Sequence, residues 1–240
     1  MSTEGARIPH FRTKQELVYR TLRDEILSCR LQPEQRLVIE EIARRLLVSA
    51  IPVREALQLL QSEGLVTLTP HVGAIVAPLS RDSVVDVFSV LEGLQVVAAR
   101  LCTERADAAA LDRLGECVTA MDWEVEAGRH DAWAALNTTF HSTVGAVSGL
   151  PLLRESSRQA LDRWDQIRRY FYNGVLVPRV ATAQRDHHEL MAGFTARDVS
   201  RVETSMRRHY QEALGAYLHY FDSRASGGVA ADVGAAAVLP

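Results

Sequence analysis

Apolar positions recur at three- and four-residue intervals along most of this chain, and at two-residue intervals in one short stretch. Val18, Leu22 and Ile26 stand at i, i+4 and i+8 and predict a first helix running to about Cys29. Thr13-Lys14-Gln15-Glu16 opens it as a capping box, with Thr13 as N-cap and Glu16 three residues on. Pro33 marks a turn in CRLQPEQRL. Ile39, Ile42 and Leu46 predict a short second helix, and LVS a tight turn after it. In VSAIPVREALQLLQSEGL the stripe Val53, Ala56, Leu57 and Leu60 predicts a third helix, with Ser49 available as cap and Pro52 tolerable in the first turn. After Gly64 the period changes. LVTLT and AIVAPL alternate like two short strands, and PHVG between them suits a turn.

From Ser80 onward the helical period returns with no convincing strand. Six helices are predicted, roughly 81–104, 107–127, 130–148, 151–173, 178–195 and 198–222. Gly128, Gly149-Leu150-Pro151 and the stretch from Gly174 to Pro178 punctuate them. Flexible ends are expected over residues 1–10 and over the small-residue tail 223–240. The fold class is therefore mainly α. Helix, helix, turn, helix and hairpin over residues 11–78 are the layout of a winged helix-turn-helix, and an all-helical bundle follows over 79–222.

That layout changes how the third helix is read. Ala50, Arg54, Gln58 and Gln61 share its second face. An ordinary solvated face is richer in Glu and Lys, whereas Arg and Gln can make paired hydrogen bonds to base edges. Arg44-Arg45 either touch phosphate or are merely solvated. The composition neither helps nor forbids this. The chain is 47% hydrophobic and 24% charged, ordinary for a soluble globular protein, with a net charge of −3. Residues 1–78 are net +1 and residues 79–240 net −4, so only the first part can approach a phosphate backbone without bulk repulsion. No run of about 18 apolar residues suggests a membrane span. Cys29, Cys102 and Cys117 are scattered and odd in number, which fits a reducing cytosol and no disulfide framework or Cys-ligated zinc.

Histidine placement is the second signal. Asn137 and His141 are four apart on one helix side. His187 sits with Leu190, Met191 and Phe194 on an apolar face, while His188 falls with Gln184 and Thr195 on the polar side. His209 interrupts the stripe Val199, Val202, Met206, Ala213, Tyr217 and Tyr220. Three imidazoles and one amide on three inward faces either are core histidines bonded to neighbours or converge as ligands for a divalent transition metal. Trp164, Arg168 and Phe171 share a face at helical spacing, and either line the same cavity as an effector pocket or are plain core.

IPVREALQLLQSEGLV closely resembles the signature of GntR-type bacterial transcription regulators, as do VYRTLRDEILSCRLQPEQRL and GAIVAPLS around it. DVFSVLEGLQVVAARLCTERA, NTTFH, DHHELMAGFTARD and RRHYQEAL resemble the helical effector domain of the FadR-like branch, the FCD domain, in its six-helix VanR-like form. The resemblance covers nearly the whole chain except both tails. It implies a cytoplasmic, ligand-responsive regulator, most commonly a repressor, that binds a two-fold duplex operator as a homodimer and is not an enzyme. The candidate DNA contacts are Arg44, Arg45, Ser49, Ala50, Arg54 and Gln58, with His71 and Gly73 of the hairpin. FCD-type domains commonly bind a divalent metal (Zn, Ni or similar) through an Asp and three His, and Asn137, His141, His187 and His209 match those positions.

Several positions depart from the family pattern. Cys29 and Glu34 stand where glycine is usual, and Ser49-Ala50-Ile51-Pro52 replaces Ser-Arg-Thr-Pro. Leu91 and Gln95 replace a frequent Arg and Glu, and Asn137 replaces the ligating Asp. A neutral amide oxygen is a weaker ligand and leaves more positive charge at the site, which favours an anionic effector. A metal-dependent hydrolase using the three histidines is the competing reading. It lacks a placed base, because Asp186 and Glu189 flank His187 but are expected on other faces.

Overall fold

The computed structural model describes residues 13–69 and 73–226. Contacts divide the chain into two compact units, Met1–Pro78 and Leu79–Pro240.

The first unit contains α1 (Lys14–Leu27), β1 (Arg36–Leu37), α2 (Ile39–Arg45), α3 (Ala50–Ser62), β2 (Val66–Thr69) and β3 (Gly73–Val76). Thr13 caps α1, its Oγ1 accepting from the Glu16 amide at 3.1 Å. The helix ends two residues before the expected Cys29 because Cys29 takes a left-handed φ of 58°. Its apolar stripe Val18, Leu22 and Ile26 packs with Ile42, Val53, Ala56, Leu57 and Leu60 into one core. Glu63 ties α1 to the end of α3 by accepting from Tyr19 Oη and, at 2.9 Å, from Arg23 Nε. The sheet has the order β1-β3-β2, both pairs antiparallel, with Thr67 opposite Ile75 and Leu37 opposite Ala74. Strand β1 is an addition to the sequence-based expectation. Two residues are too few to show alternation, yet Leu37 is buried and Arg36 pairs with Ile75.

The second unit contains α4 (Arg81–Arg105), α5 (Ala108–Glu126), α6 (His130–Val147), α7 (Pro151–Tyr170), α8 (Val177–Ala196) and α9 (Val199–Ser226). Helix α4 packs on α9, α7 and α6, while α8 packs on α9 and α5. Ion pairs run along the first contact: Arg81–Asp222 at 3.5 Å, Glu92–Arg207 at 2.8 Å and Arg100–Glu203 at 3.6 Å. Numbers rising on one helix as they fall on the other make α4 and α9 antiparallel. The boundary expected between Gly174 and Pro178 is present, but as a change of helix type rather than a loop. The chain passes from α7 through one π turn, Tyr172–Leu176, straight into α8. Gly174 serves contact rather than a loop, since a Cβ there would collide with the Tyr220 ring. Pro178 sits in the first turn of α8, directly after the π turn. Helix α9 runs four residues past the expected end at 222. The N-terminus 1–10 and residues 227–240 lie outside the described residues.

Cys29 and Glu34 both hold left-handed φ values, 58° and 67°. A side chain there costs about 1–2 kcal/mol against glycine, offset by the larger unfolded-state freedom of glycine, roughly 0.5–1 kcal/mol. Exposed Glu34 is the cleaner position to test. Glu34→Gly should raise the free energy of unfolding by about 0.5–1 kcal/mol, read as a higher urea midpoint at unchanged slope.

Candidate functional site

In the first unit, α3 presents the face expected of it. Val53, Ala56, Leu57 and Leu60 are buried, while Arg54, Gln58 and Gln61 are exposed and Ala50 is half-buried. Arg54 meets no carboxylate among the described residues, and Arg44 is likewise exposed. Arg45 is committed elsewhere: its guanidinium grips Glu25 with two bonds of 2.8 and 2.7 Å and braces α2 against α1. Ser49 occupies the N-cap position of α3, but its hydroxyl makes no capping bond. Gly73 begins β3 at φ 101°, a conformation that glycine adopts freely. His71 lies outside the described residues.

In the second unit, the three histidines meet. Ligand atoms of His141, His187 and His209 lie within 4.8 Å of one another, and all three residues are buried. Ring centroids stand 5.5 Å apart for His141–His187, 5.3 Å for His141–His209 and 5.0 Å for His187–His209. Burial holds the imidazoles of His141 and His187 well below the ordinary histidine range, and that of His209 below it too. Neutral imidazole is the form that offers a lone pair to a metal.

The fit to a metal is tested by unmet polar atoms. Buried polar groups ordinarily find partners. Here Asn137 Oδ1, His141 Nε2 and both ring nitrogens of His187 are buried without a hydrogen-bond partner. The opposite ring nitrogens of two histidines are held from behind. His209 Nδ1 lies 3.1 Å from Asp186 Oδ2, and His141 Nδ1 lies 3.2 Å from Tyr210 Oη. An N–H donated backward from Nδ1 leaves Nε2 as the acceptor atom of each ring. A nitrogen-rich set with one neutral oxygen suits a divalent transition ion rather than Ca²⁺ or Mg²⁺.

A narrow, partly open cavity of about 30 Å³ adjoins this cluster. Asn137 and His209 line one side, Trp133, Trp164 and Tyr217 supply aromatic walls, and Arg179 supplies a cation. The Arg179 side chain is largely buried and donates to the His209 carbonyl at 3.0 Å. Of the other expected pocket residues, neither Arg168 nor Phe171 is among those lining the cavity. Arg168 is buried against Asp165 at 2.7 Å with its guanidinium over the Trp164 ring, and Phe171 packs on Tyr217, Tyr220 and Phe221.

Two side chains expected away from the histidine face make buried contacts with neighbouring helices. Asp186 is buried on His209 instead of lying on another face of α8. Gln184 is not on a solvated side with His188 but buried, accepting from Trp133 Nε1 at 2.9 Å and donating to Asp122 at 2.7 Å. Both point into contacts made by neighbouring helices, which no single helical wheel contains. Tyr210 and Arg179 were missed for the same reason. Their adjacency to His209 and Pro178 carries no periodic signal.

The profile of the FCD domain family matches residues 86–212, more than half of the chain. That of the bacterial regulatory proteins of the gntR family matches residues 14–76. The chain belongs to the GntR family of bacterial regulators, with an FCD domain following its DNA-binding domain. It is thus a DNA-binding transcription regulator and not an enzyme, and the hydrolase reading falls. An uncharacterized HTH-type transcriptional regulator of Streptomyces ambofaciens is 29% identical over 202 residues, 82% of each chain. The HTH-type transcriptional repressor RspR of Escherichia coli is 25% identical over 81% of this chain and 85% of its own. Among solved structures, E. coli McbR/YncC aligns with a TM-score of 0.70 at 22% identity, covering 88% of this chain and all of that one, a likeness in fold. Among the described residues no helix is long and apolar enough to cross a membrane.

Two outcomes are expected of the histidine cluster. Asn137→Asp should tighten divalent-metal binding, because an anionic oxygen replaces a neutral one. Tyr210→Phe and Asp186→Asn should each weaken it by about 10- to 100-fold. Competition against a chromophoric chelator, on protein stripped of metal, measures all three, and unchanged affinities would refute the ligand set. The second outcome concerns acid. The folded, metal-free chain takes up protons on these histidines less readily than the unfolded chain, whose histidines titrate near about 6.5. Stability is therefore complete above about pH 6.5 and falls as pH drops below it. Urea midpoints at a pH on either side of that value check the sign, and a flat profile contradicts it.

Proposed function

We propose that the chain is a cytoplasmic, ligand-responsive repressor that binds a two-fold operator as a homodimer. Its helical unit holds one divalent transition ion per chain through Asn137, His141, His187 and His209, and takes a small anionic effector in the adjoining cavity. The observation that carries this reading is the set of buried, unpartnered donor atoms converging beside a cavity that also contains Arg179. A bound ion supplies Lewis acidity and positive charge. The residues do the rest: Asp186 and Tyr210 orient two imidazoles, Arg179 offers N–H donors to an anion, and Trp133, Trp164 and Tyr217 exclude water around its apolar part. Arg179 replaces the cation that is missing at Leu91, which is fully buried in the apolar core.

Repression fits the names of two relatives, the transcriptional repressors RspR and GlaR of E. coli, the latter 27% identical over 199 residues. A homodimer fits the row Val90, Gly93, Leu94 and Val97 on α4, in which Val90 is 50% and Val97 36% exposed. An effector that binds one arrangement of the helical unit better shifts the affinity for DNA by a coupling of about 1–3 kcal/mol, or roughly 5- to 150-fold. On the DNA side, Arg54, Gln58, Ser49 and Ala50 face the bases, Arg44 the phosphates, with His71 and Gly73 at the wing.

Native mass spectrometry of protein purified without chelator should show a dimer carrying one metal per chain. Arg54 is the cation of the outward face of α3, so Arg54→Ala should cost about 1–3 kcal/mol of operator binding if it pairs with a guanine. Filter or fluorescence titration at matched salt measures the difference, and unchanged binding removes α3 from the reading role.

A further inference from the structure

Helix α2 ends in a Schellman motif. The Val48 amide donates to the Ala43 carbonyl at 3.0 Å and the Leu47 amide to the Arg44 carbonyl at 3.4 Å, with Leu47 itself at φ 54°. Helix α3 ends in the same motif, but there the left-handed residue is Gly64 at φ 70°, with Leu65 donating to Leu60 and Gly64 to Gln61, both at 2.9 Å. Glycine takes this conformation freely, whereas a branched side chain does so under strain. Leu47 recovers nothing from burial, for it is 88% exposed. A left-handed, solvent-facing leucine is thus unfavourable both in backbone conformation and in hydration.

Leu47 is also not isolated. Ala50 opens α3 and is half-buried, and Ile51 beside it is 64% exposed. Three apolar side chains thus fall within five residues of chain at the start of the helix that carries Arg54, Gln58 and Gln61 outward. An apolar tip continuous with a cationic, amide-bearing face matches one kind of surface. Base edges in the major groove present donors, acceptors and one apolar group, the C5-methyl of thymine.

We infer that Leu47, Ala50 and Ile51 form an apolar reading tip that packs on thymine methyl groups, so that each operator half-site carries thymine opposite the start of α3. The inference rests on the operator-binding reading above and adds the base chemistry that reading leaves open. It also gives the strain at Leu47 a use: the left-handed turn aims the side chain away from the core that the rest of α2 faces.

The test uses the full chain and a duplex selected by it from a random-sequence pool. Selection should return thymine at symmetric positions. Replacing those thymidines by deoxyuridine deletes only the methyl groups. Affinity should then fall about fourfold for each buried methyl lost, and Arg54→Ala should weaken both duplexes alike. Leu47→Gly is the matching protein variant, because it relieves the left-handed strain and cannot lose binding by unfolding. It should melt higher than the wild type, bind the thymine duplex more weakly and show a reduced penalty for deoxyuridine. Equal affinity of wild type for thymine and deoxyuridine duplexes, with Arg54→Ala still crippling, overturns the apolar tip while leaving operator binding intact. A Leu47→Gly variant that binds and discriminates like wild type but changes self-association assigns Leu47 to a contact with a second copy and overturns the inference for it. A chain that selects no sequence at all refutes operator binding and this inference together.

Discussion

Three imidazoles and an amide oxygen stand in the middle of an apolar bundle with polar atoms that meet no partner. Leaving a buried donor or acceptor unmet costs about 1–3 kcal/mol each, so the helical unit has to be held together by everything around the cluster. Apolar packing does most of it, with Phe140 and Trp133 against His187 and Phe88 against Tyr210 and Tyr217. The α4–α9 ion pairs lie in partly exposed positions and fix direction more than they add stability. The packing of α4 on α6 and α9, and of α8 on α9, brings α6, α8 and α9 together.

The cluster is asymmetric in its support. His209 has a carboxylate behind it and His141 a phenol, while His187 is held by aromatic edges alone. Burial pushes the Tyr210 phenol far above its ordinary range, so it stays protonated and remains a neutral partner. The negative charge nearest the three histidines thus sits one step back, on Asp186, rather than on Asn137. Arg179 and Arg208 approach that carboxylate at 3.6 and 3.8 Å. The field at the cavity wall is in this way set by α8 and α9 together.

Helix positions were legible in the sequence wherever periodicity was strong. The stripe Val53, Ala56, Leu57, Leu60 and the box at Thr13 each name a helix and its buried side. The apolar stripes through His187 and His209 showed two of the faces that had to meet, and Asn137 with His141 marked the third. What stayed hidden depends on partners from elsewhere in the chain. Strand β1 exists because β3 is there to pair with it. Asp186 and Gln184 turn inward because α9 and α6 bring His209 and Trp133 to them. Gly174 reads as a breaker until Tyr220, forty-six residues away, explains it. Pattern reports a helix's own faces, and these residues answer to a neighbour's.

Asn137 carries a consequence of another kind. Asparagine and aspartate have nearly the same shape, and Asn137 is buried on α6 at the edge of the cavity with its Oδ1 unmet. Their codons differ at one base. The carboxylate is therefore one base change away, and a buried charge there would need a cation to meet it. In mutational terms the strength of the proposed centre is a switch rather than a dial. One transition separates a neutral set of proposed ligands from an anionic one.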